Sequence, residues 1–216
     1  MTRPERVRRL PRRSQTGGRV AKALRRLGAV AVAAITLGII SAVAVATPAS
    51  AATTTICKSS PIPAGYVIIA EGSSISCPGS FPNTWTITTP STTGTTVMCK
   101  VSAVPSGFVI IAEGSSISCP GSFPNTWTIT TPSTTGTTVM CKVSALPSGF
   151  VIIAEGSSIS CPGSFPNTWT IRTPAASGTT VICSVSPIPP GYVVVGTGSS
   201  ISCPGSFPNT RTIRLP

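Results

Sequence analysis

Cys77-Pro78-Gly79-Ser80-Phe81-Pro82-Asn83 is the stretch that decides the fold, because the chain repeats it unchanged from Cys119, Cys161 and Cys203. Its Pro and Gly density forbids a helix or a regular strand. Twenty residues before each copy stands a second cysteine: Cys57, Cys99, Cys141 and Cys183. The gaps between successive cysteines therefore alternate 20 and 22, a period of 42. The intervening text repeats as well. Residues 57–98 and 99–140 differ only at positions 59, 61, 62, 64 and 66 of the first copy. Self-similarity at a fixed period of this size marks a repeat architecture.

Starting the unit at Thr53 divides the chain into 53–94, 95–136, 137–178 and 179–216. The fourth unit lacks only the connector that reads Ser91-Thr92-Thr93-Gly94 in the first. These connectors are rich in Thr, Ser and Pro, which favours extended, solvated chain and can accept O-linked sugars.

Within a unit the pattern is that of short strands. In the second unit, 95–101 suits a first strand. Pro105-Ser106-Gly107 signals a turn, and 108–112 is a β-branched apolar run of the kind that forms a strand covered on both faces. Glu113-Gly114-Ser115-Ser116 reads as a turn, and 126–131 alternates, with Trp127 and Ile129 on one face. No apolar period of 3.6 residues occurs beyond the first fifty residues. The expected fold is all-β: four tandem small disulfide-stapled β modules after an N-terminal signal helix.

A unit of about 40 residues is too small for its core alone to hold it. The remedy is one disulfide per unit: Cys57–Cys77, Cys99–Cys119, Cys141–Cys161 and Cys183–Cys203. Pairing between units would leave Cys57 and Cys203 without partners. Closing a loop of roughly 20 residues contributes about 3 kcal/mol in the chain-entropy model. Separate beads or a short stack are favoured over a closed four-bladed ring.

The charge has a separate origin. The chain carries 16 Lys and Arg against 4 acids, a net charge of +12. Ten of the basic residues precede residue 27, where Glu5 is the only acid. The apolar run 27–46 follows, and then Thr47-Pro48-Ala49-Ser50-Ala51. Basic segment, apolar segment and an Ala-x-Ala site at Ala49 and Ala51 form a signal peptide over 1–51, cleaved after Ala51. The first unit starts one residue further on. The arginine-rich and Ala/Val-rich style of this leader resembles the export signals of high-GC Gram-positive bacteria. The general secretory route fits better than the twin-arginine route, and an uncleaved membrane anchor is the minor alternative. Residues beyond the leader carry six basic and three acidic side chains, so a nucleic-acid partner is not expected, and a membrane is expected only through the leader.

The sequence contains no His and no Asp. That removes Ser-His-Asp and Cys-His catalysis and His-containing zinc sites. Neither an enzyme, a metal nor a cofactor is expected. Glu71, Glu113 and Glu155 recur with Lys58, Lys100 and Lys142 and read as surface ion pairs. Asn83 and its copies read as turn residues. Trp85, Trp127 and Trp169 are the candidate binding or inter-repeat contacts. The fourth unit has Arg211 at that place, which a sealed core would not accept. The reading is a secreted, non-enzymatic repeat protein with a multivalent binding or structural role. Its expected partner is a cell-wall polysaccharide or a surface protein. A secreted disulfide-rich inhibitor or toxin-like effector is the alternative.

Overall fold

The computed structural model describes residues 52–216. The expected leader, with Ala49 and Ala51, lies outside the described residues.

Threonine, valine and isoleucine favour the pleated backbone, and in each unit they form three strands. The first unit has β1 (Thr53–Cys57), β2 (Val67–Gly72) and β3 (Thr84–Thr88). The pattern recurs in β4 (Thr95–Cys99), β5 (Val109–Gly114) and β6 (Thr126–Thr130). It recurs again in β7 (Thr137–Cys141), β8 (Val151–Gly156) and β9 (Thr168–Arg172). The last set is β10 (Thr180–Cys183), β11 (Val193–Gly198) and β12 (Thr210–Arg214). The four sheets are all-β and antiparallel, and in every one the third strand lies in the middle. One disulfide staples each sheet, with Cα atoms 5.3–5.4 Å apart.

The middle strand fixes which end of a module holds what. Cys57 and Gly72 both pair with Thr84, so the 73–83 loop emerges at the disulfide end. Thr53 and Val67 both pair with Thr88, at the connector end. β1 and β2 therefore run parallel on opposite sides of β3, and the segment between them crosses back along the sheet. It re-enters through the expected turn: Phe108 N–H donates to Pro105 O at 3.2 Å, with Gly107 at φ +84°. Such a turn needs a residue at ease with positive φ in its third position.

One expectation is corrected. Glu113 and Gly114 do not turn the chain; they continue β5, opposite Trp127 and Thr126. The physical reason is a bulge at Ile111, where the register shifts between Ile110 and Ala112. The extra residue lets the strand run on in register with β6. At its end a Cβ on Gly114 would lie 3.0 Å from Thr126 Oγ1, so any larger residue there would have to displace the threonine hydroxyl by a few tenths of an ångström. The first strand ends at Cys99 and the third at Thr130.

The core does not lie inside the modules taken singly. Val67 of the first module shares a cluster with Met98, Ile110 and Ile129 of the second, which continues to Cys141 and Cys161 of the third. The neighbouring residue Ile68 joins Ile87 together with Cys99 and Cys119 of the second module. Successive side chains of β2 thus enter two different clusters, and both clusters include residues of the second module. Strand contacts join β2 to β4, β5 to β7 and β8 to β10. Among the described residues none joins the fourth module to the first, so the four modules form an open stack.

Candidate functional site

The segment that repeats without change is held by a buried asparagine. Asn83 is 2% exposed. Its Oδ1 accepts from Ser74 N–H at 2.9 Å, and its Nδ2 donates to Ser74 O at 2.9 Å and Cys77 O at 2.8 Å. Its own backbone N–H donates to Gly72 O at 3.0 Å, and its carbonyl accepts from Lys58 N–H at 2.9 Å. One buried residue therefore ties together both ends of the 73–83 loop and the turn that follows Cys57. The same side-chain bonds recur at Asn125, Asn167 and Asn209. Asn83 reaches further than a turn residue: it clamps a loop of irregular backbone that no ladder could satisfy.

What this clamp presents to solvent is apolar. Ile75, Ile117, Ile159 and Ile201 are 93–95% exposed, and Phe81, Phe123, Phe165 and Phe207 are 59–61% exposed. Each pair lies in one loop, the isoleucine just before the disulfide cysteine and the phenylalanine between it and the buried asparagine. A single exposed isoleucine needs no explanation. Four, each paired with an exposed phenylalanine on an identical rigid loop, form a repeated apolar display.

The tryptophans sit elsewhere. Trp85 is half-buried and packs against the cluster of Ile68, Ile87, Cys99 and Cys119. The last two belong to the following module's disulfide. Lys58 Nζ lies 4.1 Å from the Trp85 ring centroid and 2.7 Å from Glu71 Oε2. Cross-strand register explains the meeting, since Trp85 faces Ile56 on one side and Glu71 on the other. The same Lys–Trp–Glu arrangement recurs at Lys100, Trp127 and Glu113, and at Lys142, Trp169 and Glu155. It is absent from the fourth module, where Ser184, Arg211 and Thr197 stand instead. With its ammonium engaged by both a carboxylate and a ring face, each lysine is held over the indole rather than left to solvent.

Two further concavities lie at the connector end. A groove of about 580 Å³ runs between the second and third modules, lined by Phe108, Ile110, Pro132, Leu146 and Phe150 among others. A smaller one of about 180 Å³ lies between the third and fourth, lined by Leu146, Phe150, Pro187 and Ile188. All eight cysteines are in disulfides, so none offers a thiolate to a metal or a substrate.

Reading by residue type singled out the tryptophans and passed over the isoleucines. The available signal was the setting of Ile75: a lone apolar residue in Gly72-Ser73-Ser74-Ile75-Ser76, whose one apolar neighbour at strand spacing is the disulfide cysteine Cys77. The lysine's bond to tryptophan had a signal too, because Lys, Glu and Trp are all replaced together in the fourth unit.

No protein-family model, curated protein or solved structure matches this chain. The disulfides fit an extracellular or otherwise oxidising setting, as do four repeated stapled modules.

Proposed function

We propose that this protein is an exported, non-enzymatic binding protein that grips a repetitive partner through its four stapled loops. The observation that carries this reading is the exposure of Ile75, Phe81 and their copies on loops fixed by a disulfide and a buried asparagine. The display is complete in all four modules, including the fourth, which has lost the Lys–Trp–Glu cluster. A rigid loop binds with little ordering cost. Four in one chain raise the overall affinity by about 10²–10⁴ where the partner's spacing fits. A cell-wall polysaccharide, whose sugar faces stack on aromatic rings, or a surface protein array has the required repetition.

The test is retention of the full chain on purified wall polysaccharide, with Phe81, Phe123, Phe165 and Phe207 changed to Ser one after another. Retention should fall steeply with each substitution and vanish with four. Retention indifferent to all four changes, or no retention on any polymer tested, overturns the reading.

The same rigidity favours one other use, a loop presented to a single target as an inhibitor or toxin-like effector. Stoichiometry separates the two. An inhibitor loses a quarter of its capacity with each loop removed and keeps its affinity, whereas a multivalent binder loses affinity.

A further inference from the structure

Every junction between successive modules is built from the same two halves. The donating half is the free edge of a module's second strand. Ile68 N–H donates to Ser102 Oγ at 3.1 Å and Glu71 N–H donates to Ser118 O at 2.8 Å. Between them the Ile69 carbonyl lies 3.7 Å from Cys119 Sγ, a contact and not a hydrogen bond, since disulfide sulfur carries no proton. The receiving half is the following module's serine pair and disulfide. The second junction repeats these distances at 3.0, 2.7 and 3.7 Å, and the third at 2.9, 2.7 and 3.7 Å.

Both halves also occur in the first and fourth modules, and among the described residues neither meets its complement there. On β11, Val194 and Thr197 stand where Ile68 and Glu71 stand in the first module, and among the described residues their N–H groups meet no acceptor. Val193 and Val194 are 44% and 43% exposed, while the residues at these positions in the other modules are at most 5% exposed. At the opposite end Ser60 is exposed, whereas Ser102, Ser144 and Ser186 are buried. Ile56 and Cys77 are half-buried, whereas Met98 and Cys119 are buried.

An apolar edge strand with free N–H groups is a template for another chain. A repeat whose outer face is adapted to water carries polar residues there, and three successive exposed valines are the opposite. The geometry points to head-to-tail assembly, in which β11 of one copy docks on the first module of a second copy. Val194 N–H then meets Ser60 Oγ, Thr197 N–H meets Ser76 O, and Val195 O meets Cys77 Sγ. The occupant is a second copy because that chain presents, at the same register, the partners that cover this edge three times internally. The contact is heterologous, so it extends into open chains unless its rotation closes a ring. Arg211, Thr197 and Ser184 replace Trp, Glu and Lys at this junction, which makes it weaker than the internal three and reversible on dilution.

Sedimentation velocity of the purified full chain, disulfides intact, tests this over a range of concentrations. The average mass should rise with concentration. Val195→Lys blocks the donating edge and Ser60→Lys blocks the receiving face, both at exposed positions. Each variant alone should stay monomeric. An equal mixture should form dimers and stop there, because each variant keeps one working face; that dimer also shows that both variants are folded. Arg211→Trp should move assembly to a concentration about tenfold lower, the change expected for about 1.4 kcal/mol of added contact. A wild-type chain that stays monomeric, or association that persists in both blocked variants, overturns the proposal.

Discussion

Asn125 illustrates how much one side chain decides here. Its amide makes three hydrogen bonds to backbone groups that have no ladder partner. Asn125→Ala leaves those groups unpaired beside a disulfide, and each net bond is worth about 1 kcal/mol. The expected loss is about 2–3 kcal/mol, read as a lower denaturant midpoint, with faster backbone exchange in the 115–124 loop. Trp127 shows the opposite case, in which a conspicuous residue has an ordinary duty. It packs on a cluster that continues into the next module and carries Lys100 on its face. An arginine at the corresponding fourth position, Arg211, is tolerated because no described module follows to seal it. Residue type alone marked Trp127 as a contact but left its alternatives open; only cross-strand register brings lysine, glutamate and indole together.

At the scale of the element, the second strand is the one that matters most. Its apolar run, such as Val109-Ile110-Ile111, announces a strand covered on both faces, but the cover comes from the next module. Ile68 N–H depends on Ser102 Oγ, and both residues are buried. Ser102→Ala therefore leaves a buried donor unsatisfied, at a cost of about 1–3 kcal/mol. Amide exchange at Ile68 should quicken, while Ser60→Ala, the same change on the exposed face of the first module, should leave the stability of the monomer unaltered. Equal effects of the two substitutions would contradict the junction described here. The bulge at Ile111 was illegible in the sequence, because an extra residue in a strand leaves the composition of the strand unchanged.

At the scale of the whole molecule, the described modules form an open stack in which each touches only its neighbours. Stability of such an array is a sum of module terms and junction terms. The fourth module has a single junction and an uncovered β11, so its amides should exchange faster than those of the second and third in a native-state experiment. Uniform protection across the modules would mean that the junctions contribute little. Under conditions where copies assemble head to tail, protection of β11 should rise, which ties this measurement to the proposed association.

The sequence by itself determined the period of 42, the four strands-and-loop units, the disulfide pairing and the all-β class. Each of these depends on spacing along the chain or on local backbone preference, and spacing is what a sequence states directly. The tertiary structure decided where the core lies and which residues reach solvent. A core shared across junctions depends on the edge of β2 meeting Ser102 and Ser118, contacts between residues far apart in the chain. The exposure of Ile75 likewise depends on Asn83 and Cys77 folding the loop away from every apolar neighbour. Hydrophobicity says that a side chain gains by burial, but only the packed arrangement fixes whether a partner surface is within reach.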